Sequence, residues 1–200
     1  DRLAQYFRLF GFGRITGIDI GREYKGTIPN TAFMNKRYGR FGWSKGSLLN
    51  FCIGQGEILV TPIQVFNYVN LLATKGNSNS PHLVSSPKKD SENEIPLSSK
   101  IWDRIIFDMG QVVSHAKGTG KNADPAIQGA KIYGKTGTAE NPHGEDHAWF
   151  IGWVEYEKKK FSIVVLLEKS GSGGAVAAPL AKNIFDKIES EDIKKLLFEE

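Results

Sequence analysis

The stretch Tyr133-Gly134-Lys135-Thr136-Gly137-Thr138-Ala139-Glu140 constrains this chain more than any other. It reads as a β-strand whose backbone something else must approach closely. Gly134 and Gly137 withhold side chains where another backbone could lie alongside. Strand side chains alternate with period two, so Thr136 and Thr138 share one face and Lys135 takes the other. Residues 131–139, 147–156 and 160–169 read as three strands, the last two joined by a tight hairpin near Lys158-Lys159-Lys160. Ile163-Val164-Val165-Leu166-Leu167 is apolar without alternation. That predicts a strand buried on both faces and helices on both sides of the sheet.

One such helix is C-terminal, with Val176, Leu180, Ile184, Phe185 and Ile188 in register. Another runs from about Ser99 to Lys117, where Ile101, Trp102, Ile105, Ile106, Met109, Val112, Val113 and Ala116 recur at helical spacing. Thr61-Pro62-Ile63-Gln64 is a capping box with proline at the first helical position; Phe66, Val69, Leu72 and Ala73 form its buried stripe and Gly76 its stop. Residues 1–10 end a helix stopped by Gly11. Residues 18–60 read as a long, ordered, irregular segment, and 77–97 as a polar loop.

Composition narrows the class. An apolar fraction of 40% with 24% charged residues is that of a globular protein. The net charge of +4, from 26 basic and 22 acidic residues, reads as a small, scattered excess, which does not indicate a nucleic-acid surface. A single cysteine, Cys52, excludes an intrachain disulfide, and its neighbours Phe51 and Ile53 predict burial. No signal peptide, membrane span or initiator methionine is present, which predicts a piece cut from a longer protein.

Several short motifs compete. Gly129-Ala130-Lys131-Ile132-Tyr133-Gly134-Lys135-Thr136 fits a nucleotide-binding P-loop, but no buried strand feeds it and no helix can leave it through Gly137 and Pro142. Gly11-Phe12-Gly13-Arg14-Ile15-Thr16-Gly17 resembles a dinucleotide fingerprint, yet it follows a helix. His143 and His147 have a metal-ligand spacing, but Pro142 and Gly144 make the segment a loop; His147 could instead orient the strand it opens. No metal or cofactor is expected. Ser85-Ser86-Pro87-Lys88-Lys89 and Ser91-Glu92-Asn93 carry S-x-x-K and S-x-N spacings inside a polar, proline-broken loop.

Taken in order, a set of runs resembles one family across nearly the whole chain. They are Phe10-Gly11-Phe12-Gly13 with Thr16-Gly17-Ile18-Asp19, Gly26-Thr27-Ile28-Pro29, Ile53-Gly54-Gln55-Gly56 with Thr61-Pro62-Ile63-Gln64, and Gly118-Thr119-Gly120. Gly134-Lys135-Thr136-Gly137-Thr138-Ala139-Glu140, Trp149-Phe150-Ile151-Gly152 and Gly173-Gly174 with Ala178-Pro179 complete the set. The chain resembles the transpeptidase domain of class B penicillin-binding proteins, nearest their rod-elongation branch.

The resemblance implies an α+β fold, a mostly antiparallel sheet covered by helices (the penicillin-recognising serine transpeptidase and β-lactamase-like fold), here an incomplete fragment. Residues 1–190 would be the C-terminal portion of one transpeptidase domain and 191–200 a charged extension. The implied reaction cross-links D-Ala-D-Ala stem peptides through an acyl-serine, and β-lactams trap that serine. Lys135, Thr136 and Thr138 would seat the substrate carboxylate, the Thr138 N–H would be half of the oxyanion hole, and Gly137 would let substrate lie along the strand. The nucleophile and S-x-N motifs would fall upstream of Asp1, so the chain alone would be inactive. Glu140 stands where many relatives carry Gln.

Implied partners are peptidoglycan stem peptides, β-lactams, a SEDS-type glycosyltransferase and rod-elongation proteins. The implied place is the outer, periplasmic face of the bacterial cytoplasmic membrane, reached through an N-terminal anchor outside this sequence. Two alternatives stay open: a non-catalytic penicillin-binding sensor domain of the same fold, and a P-loop nucleotide-binding protein.

Overall fold

Helices carry the first part of the chain and a small sheet carries the second. The computed structural model describes residues 1–84 and 93–189, in two compact units, Asp1–Leu97 and Ser98 onward. No helix among the described residues is long and apolar enough to cross a membrane.

In the first unit α1 (Arg2–Leu9) ends before Gly11, which takes φ +91°. The segment expected to be irregular contains two short helices, α2 (Thr31–Tyr38) and α3 (Ser47–Cys52). The Asn30 side chain starts α2 by accepting the Phe33 N–H at 2.9 Å. Cys52 is exposed, contrary to expectation, because the last turn of α3 buries Phe51 instead.

Helix α4 (Pro62–Ala73) has the expected capping box, with Thr61 and Gln64 bonded reciprocally. Its buried set is wider than a stripe. Val65, Val69, Leu71, Leu72 and Ala73 are enclosed, while Phe66 is only half-buried. Gln64 is buried too. Its amide donates to the carbonyls of Arg14 (2.5 Å) and Lys25 (3.0 Å), so one side chain ties the irregular segment to the helix. Glu23 gathers the N–H of Thr16, the hydroxyl of Thr16 and the N–H of Gly17 at 2.7–3.0 Å. Burial raises its pKa, but these bonds outweigh burial and hold the carboxyl below the usual glutamate range. The expected polar loop holds a two-residue antiparallel ladder, β1 (Asn77–Ser78) with β2 (Asn93–Glu94), and a buried Ile95. Residues 85–92 of the serine- and lysine-rich loop, and residues 190–200, which contain the charged 191–200 extension, lie outside the described residues.

The second unit opens with α5 (Ser99–Ser114), which buries Trp102, Met109 and Val113. Ile101 stays half exposed, and Ala116 lies beyond the helix end. Three antiparallel strands follow, β3 (Lys131–Ala139), β4 (His147–Tyr156) and β5 (Lys159–Leu167), with β4 in the centre. Their register places Ile132, Gly134, Thr136 and Thr138 on the same face as Ala148, Phe150, Val154 and Val165. That face is the core, closed by Ala177, Ala178, Ala181 and Phe185. On the other face Tyr133 stacks on the fully buried Trp153, ring centroids 4.8 Å apart, and Gly110 of α5 lies beneath the Tyr133 ring.

Two expectations about this unit need correction. β5 is not buried on both faces. It is the outer strand, bonded on one side only among the described residues, and apart from Val165 its apolar side chains are half-covered. The last helix, α6 (Ala178–Phe185), follows a π-helical turn at Gly173–Ala177 and presents Ala178, Ala181 and Phe185 to the sheet. Leu180 and Ile184 face outward, because the small alanines let the helix lie close and so take the inner positions. The hairpin turn is Glu157-Lys158, both with positive φ, while Lys160 pairs with Glu155 at 3.2 Å.

Candidate active site

Within the second unit, glycines decide how closely the backbones meet. Gly134 and Gly152 are register partners. A Cβ on Gly134 would lie 2.5 Å from the Phe150 ring, and one on Gly152 would lie 2.2 Å from the Tyr133 carbonyl oxygen. Only glycine fits either place. The Gly118-Thr119-Gly120 turn folds back on the end of α5, with Gly120 N–H donating to the Val112 carbonyl at 2.9 Å. On the far side Gly173 presses against the sheet; a Cβ there would lie 2.3 Å from both the Gly137 and Trp149 carbonyl oxygens. A Cβ on Gly174 would lie 2.7 Å from the Thr119 carbonyl oxygen, and the Asn122 amide donates to the Gly174 carbonyl at 3.2 Å.

Three segments therefore converge on Thr136 and Thr138. The hydroxyls of Thr119 and Thr136 are 2.8 Å apart. The Gly173 N–H donates to the Thr138 hydroxyl oxygen at 3.4 Å. Thr138 and Thr119 are exposed and Thr136 is half-buried. Lys135 belongs to the opposite face, but its ammonium curls back to donate to the Thr136 carbonyl at 2.7 Å. That position keeps the positive charge along the strand's outer edge. Hydroxyl donors beside an ammonium suit an anion such as a carboxylate.

Other candidates from the sequence are not brought together. His147 accepts the Lys169 N–H at Nδ1 (3.1 Å), and the Asp146 carbonyl accepts the N–H groups of Ser170 and Gly171. His147 thus fastens the start of β4 to the exit of β5. His143 donates its backbone N–H to the Asn141 side chain in a local turn. Among the described residues no three His, Cys, Asp or Glu side chains form a metal-binding group. The P-loop reading fails because Lys135 and Thr136 lie mid-strand, with no helix leaving after them.

Sequence reasoning gave Thr119 no role, although it matched the run that contains it. A threonine between two glycines after a helix was the available signal. It also passed over Ser114-His115-Ala116-Lys117, an S-x-x-K at the end of α5. There the helix stops at Ser114, whose hydroxyl donates to the Gly110 carbonyl at 3.0 Å, so the lysine does not stack one turn above the serine.

A family model described as the penicillin binding protein transpeptidase domain matches residues 1–186. The peptidoglycan D,D-transpeptidase MrdA of Haemophilus influenzae is 35% identical over 211 residues, covering 93% of this chain and 32% of the relative. MrdA of Escherichia coli K12 is 29% identical over 213 residues, covering 94% of this chain and 33% of the relative. The chain spans about a third of the length of these curated relatives. Among solved structures, Pseudomonas aeruginosa PBP2 in complex with WCK 5153 superposes with a TM-score of 0.81 at 33% identity, over 93% of this chain and 42% of that one. PBP2 from Helicobacter pylori, solved also in complex with MreC, gives 0.76 at 31% identity, over 92% of this chain and 35% of that one.

Proposed function

The chain belongs to the penicillin-binding-protein transpeptidase family, and from that premise we propose that it carries the substrate-carboxylate seat of a peptidoglycan D,D-transpeptidase. The observation that carries this reading is the convergence of the Thr119, Thr136 and Thr138 hydroxyls on one face of an end strand, with the Lys135 ammonium along its edge. Together they hold the terminal carboxylate of a D-Ala-D-Ala stem peptide. Gly137 leaves room for that peptide to run beside β3 as an added strand. With the carboxylate fixed, the penultimate carbonyl falls near the Thr138 N–H, which supplies one oxyanion donor.

Acyl transfer also needs a serine with a base in reach. Thr119 and Thr136 bond each other, and the Ser114 hydroxyl is spent on its own helix. The nucleophile in this reading lies outside these 200 residues, and residues 1–190 act as one portion of a transpeptidase domain. By kinship, the whole protein works in the cell envelope, on the outer face of the cytoplasmic membrane. It meets stem peptides, β-lactams, a SEDS-type glycosyltransferase and rod-elongation proteins; the MreC complex of the H. pylori relative supports the last of these.

The test has two arms. Amide resonances of Thr136, Gly137 and Thr138 should shift on titration with an acyl-D-Ala-D-Ala peptide and stay still with its C-terminal carboxamide. Incubated with a fluorescent penicillin and denatured, this chain should carry no label, beside a labelled full-length H. influenzae relative. Stoichiometric label on this chain would place the nucleophile inside it and sink the second half of the reading. Equal shifts with acid and carboxamide would sink the first.

A further inference from the structure

We propose that the end of α2 and the turn after it form a second binding surface, for the carboxylate-bearing glycopeptide polymer of the cell wall. The choice of polymer rests on the transpeptidase reading; the chemistry of the surface does not. From Asn30 to Gly56 the sequence has four cations, Lys36, Arg37, Arg40 and Lys45, and no carboxylate. The whole chain has 26 basic and 22 acidic residues. Without these four the remainder balances at 22 and 22, since 26 − 4 = 22. The charge excess is therefore concentrated in one segment and not scattered. All four cations are exposed.

Two aromatic rings stand among them. Phe41 is 92% exposed and Tyr38 42% exposed. Neither is a loose surface residue. The Gly42 N–H donates to the Gly39 carbonyl at 3.2 Å, and Gly42 fits so tightly on the Tyr38 carbonyl that a Cβ would lie 1.9 Å from it. The Trp43 indole N–H donates to the Asn35 side chain at 2.8 Å and ties the returning chain to α2. The Tyr38 hydroxyl donates to Glu57 and accepts from Arg37 Nε. Arg37 and Arg40 lie 5.5 and 5.8 Å from the centroids of the Tyr38 and Phe41 rings. The turn thus holds Arg-aromatic pairs in place without burying them.

Preorganised aromatic and arginine side chains are what binding surfaces concentrate, because little ordering entropy remains to be lost. Guanidinium forks match carboxylates, which stem peptides present in a repeating array. Flat rings suit the apolar faces of sugars. An anionic membrane is the other candidate for a basic, aromatic surface. It fits less well, because insertion needs a helix with a continuous apolar face. α2 is eight residues long, buries Met34 in the protein and half-buries Phe33, so its outward face is polar and charged.

The experiment is co-sedimentation of this chain with purified insoluble peptidoglycan. The same assay is run with vesicles of phosphatidylglycerol and phosphatidylethanolamine. The double variant Arg40→Ala/Phe41→Ala is compared with Lys158→Gln, which removes a cation from the β4–β5 hairpin turn. Both sites are exposed, and unchanged thermal unfolding checks that each variant folds. We expect retention on peptidoglycan that weakens with salt, falls about tenfold in the double variant, as for one interface hot spot, and holds in Lys158→Gln. Equal loss in both variants would reduce the effect to net charge and overturn the proposal. So would no retention, or a loss confined to vesicles. The peptide titration described above reads the transpeptidase seat independently, so failure of one reading is distinguishable from failure of the other.

Discussion

Replacing Gly173 by alanine tests whether the seat is built by close backbone approach. The new methyl would lie 2.3 Å from two carbonyl oxygens, Gly137 on β3 and Trp149 on β4, about 0.7 Å inside the 3.0 Å floor that real contacts keep. These residues are register partners in the ladder, so neither oxygen can yield without distorting it. The π-helical turn must lift instead, losing the Gly173 N–H bond to Thr138 and the contact of Gly174 with Thr119. Overpacking costs about 1–3 kcal/mol, and clashes with backbone belong at the upper end. For a chain of this size about 3 kcal/mol corresponds to a fall in Tm of about 6–12 °C. Gly171→Ala is the control: its φ is +85° but nothing lies within 4 Å, so only about 1–2 kcal/mol of left-handed strain is added. Calorimetry of the three proteins measures the difference, and titration with acyl-D-Ala-D-Ala reads the seat. A Gly173→Ala protein that melts with the parent, or above Gly171→Ala, would refute the close-approach argument.

Three more outcomes are expected. Thr119→Val keeps shape but removes one hydroxyl of the Thr119–Thr136 pair; affinity for the D-Ala-D-Ala peptide should fall about fivefold, the worth of about 1 kcal/mol of hydrogen bonding, with Tm unchanged. Unchanged affinity would remove Thr119 from the site. Lys158→Gly should stabilise by about 0.5–1 kcal/mol in calorimetry, because Lys158 holds φ +66° in a two-residue hairpin turn that favours glycine; a loss of stability would contradict the turn geometry. The Glu23 carboxyl titrates below its ordinary range in the folded state, so its contribution is full above the unfolded pKa and is lost as pH falls through the folded one. Glu23→Gln should therefore flatten the acid limb of a Tm–pH profile and lower Tm at neutral pH; parallel profiles would count against the Thr16–Gly17 bonds.

The sheet was legible because its signals are local. Alternation, the glycine pair and the apolar run placed β3, β4 and β5 within a residue or two of their observed ends. The capping box placed α4 for the same reason. Helices α2 and α3 were hidden, since eight and six residues are too few to display a period. The inner face of α6 was misread because Leu180 and Ile184 outrank Ala178 and Ala181 in hydrophobicity, whereas close packing favoured the smaller residues. In the site, strand alternation gives the shared face of Thr136 and Thr138, whereas their pairing with Lys135 as a carboxylate seat comes only from the family resemblance. Thr119 does not, because its partner is seventeen residues away and only the folded chain brings the two hydroxyls together.

The crowding around β3 also narrows adaptation. Gly134, Gly152, Gly173 and Gly174 each face an atom closer than 3 Å to any added Cβ. If the carboxylate-seat proposal holds, a lineage selected for altered ligand binding cannot reshape the seat at those positions without disturbing the sheet. Adaptation is channelled to residues whose side chains already reach solvent, Thr119, Thr138 and Glu140, where a hydroxyl or a charge can change while the backbone stays put. Under that proposal, change at these positions should first appear as altered selectivity among carboxylate-bearing ligands rather than as loss of fold.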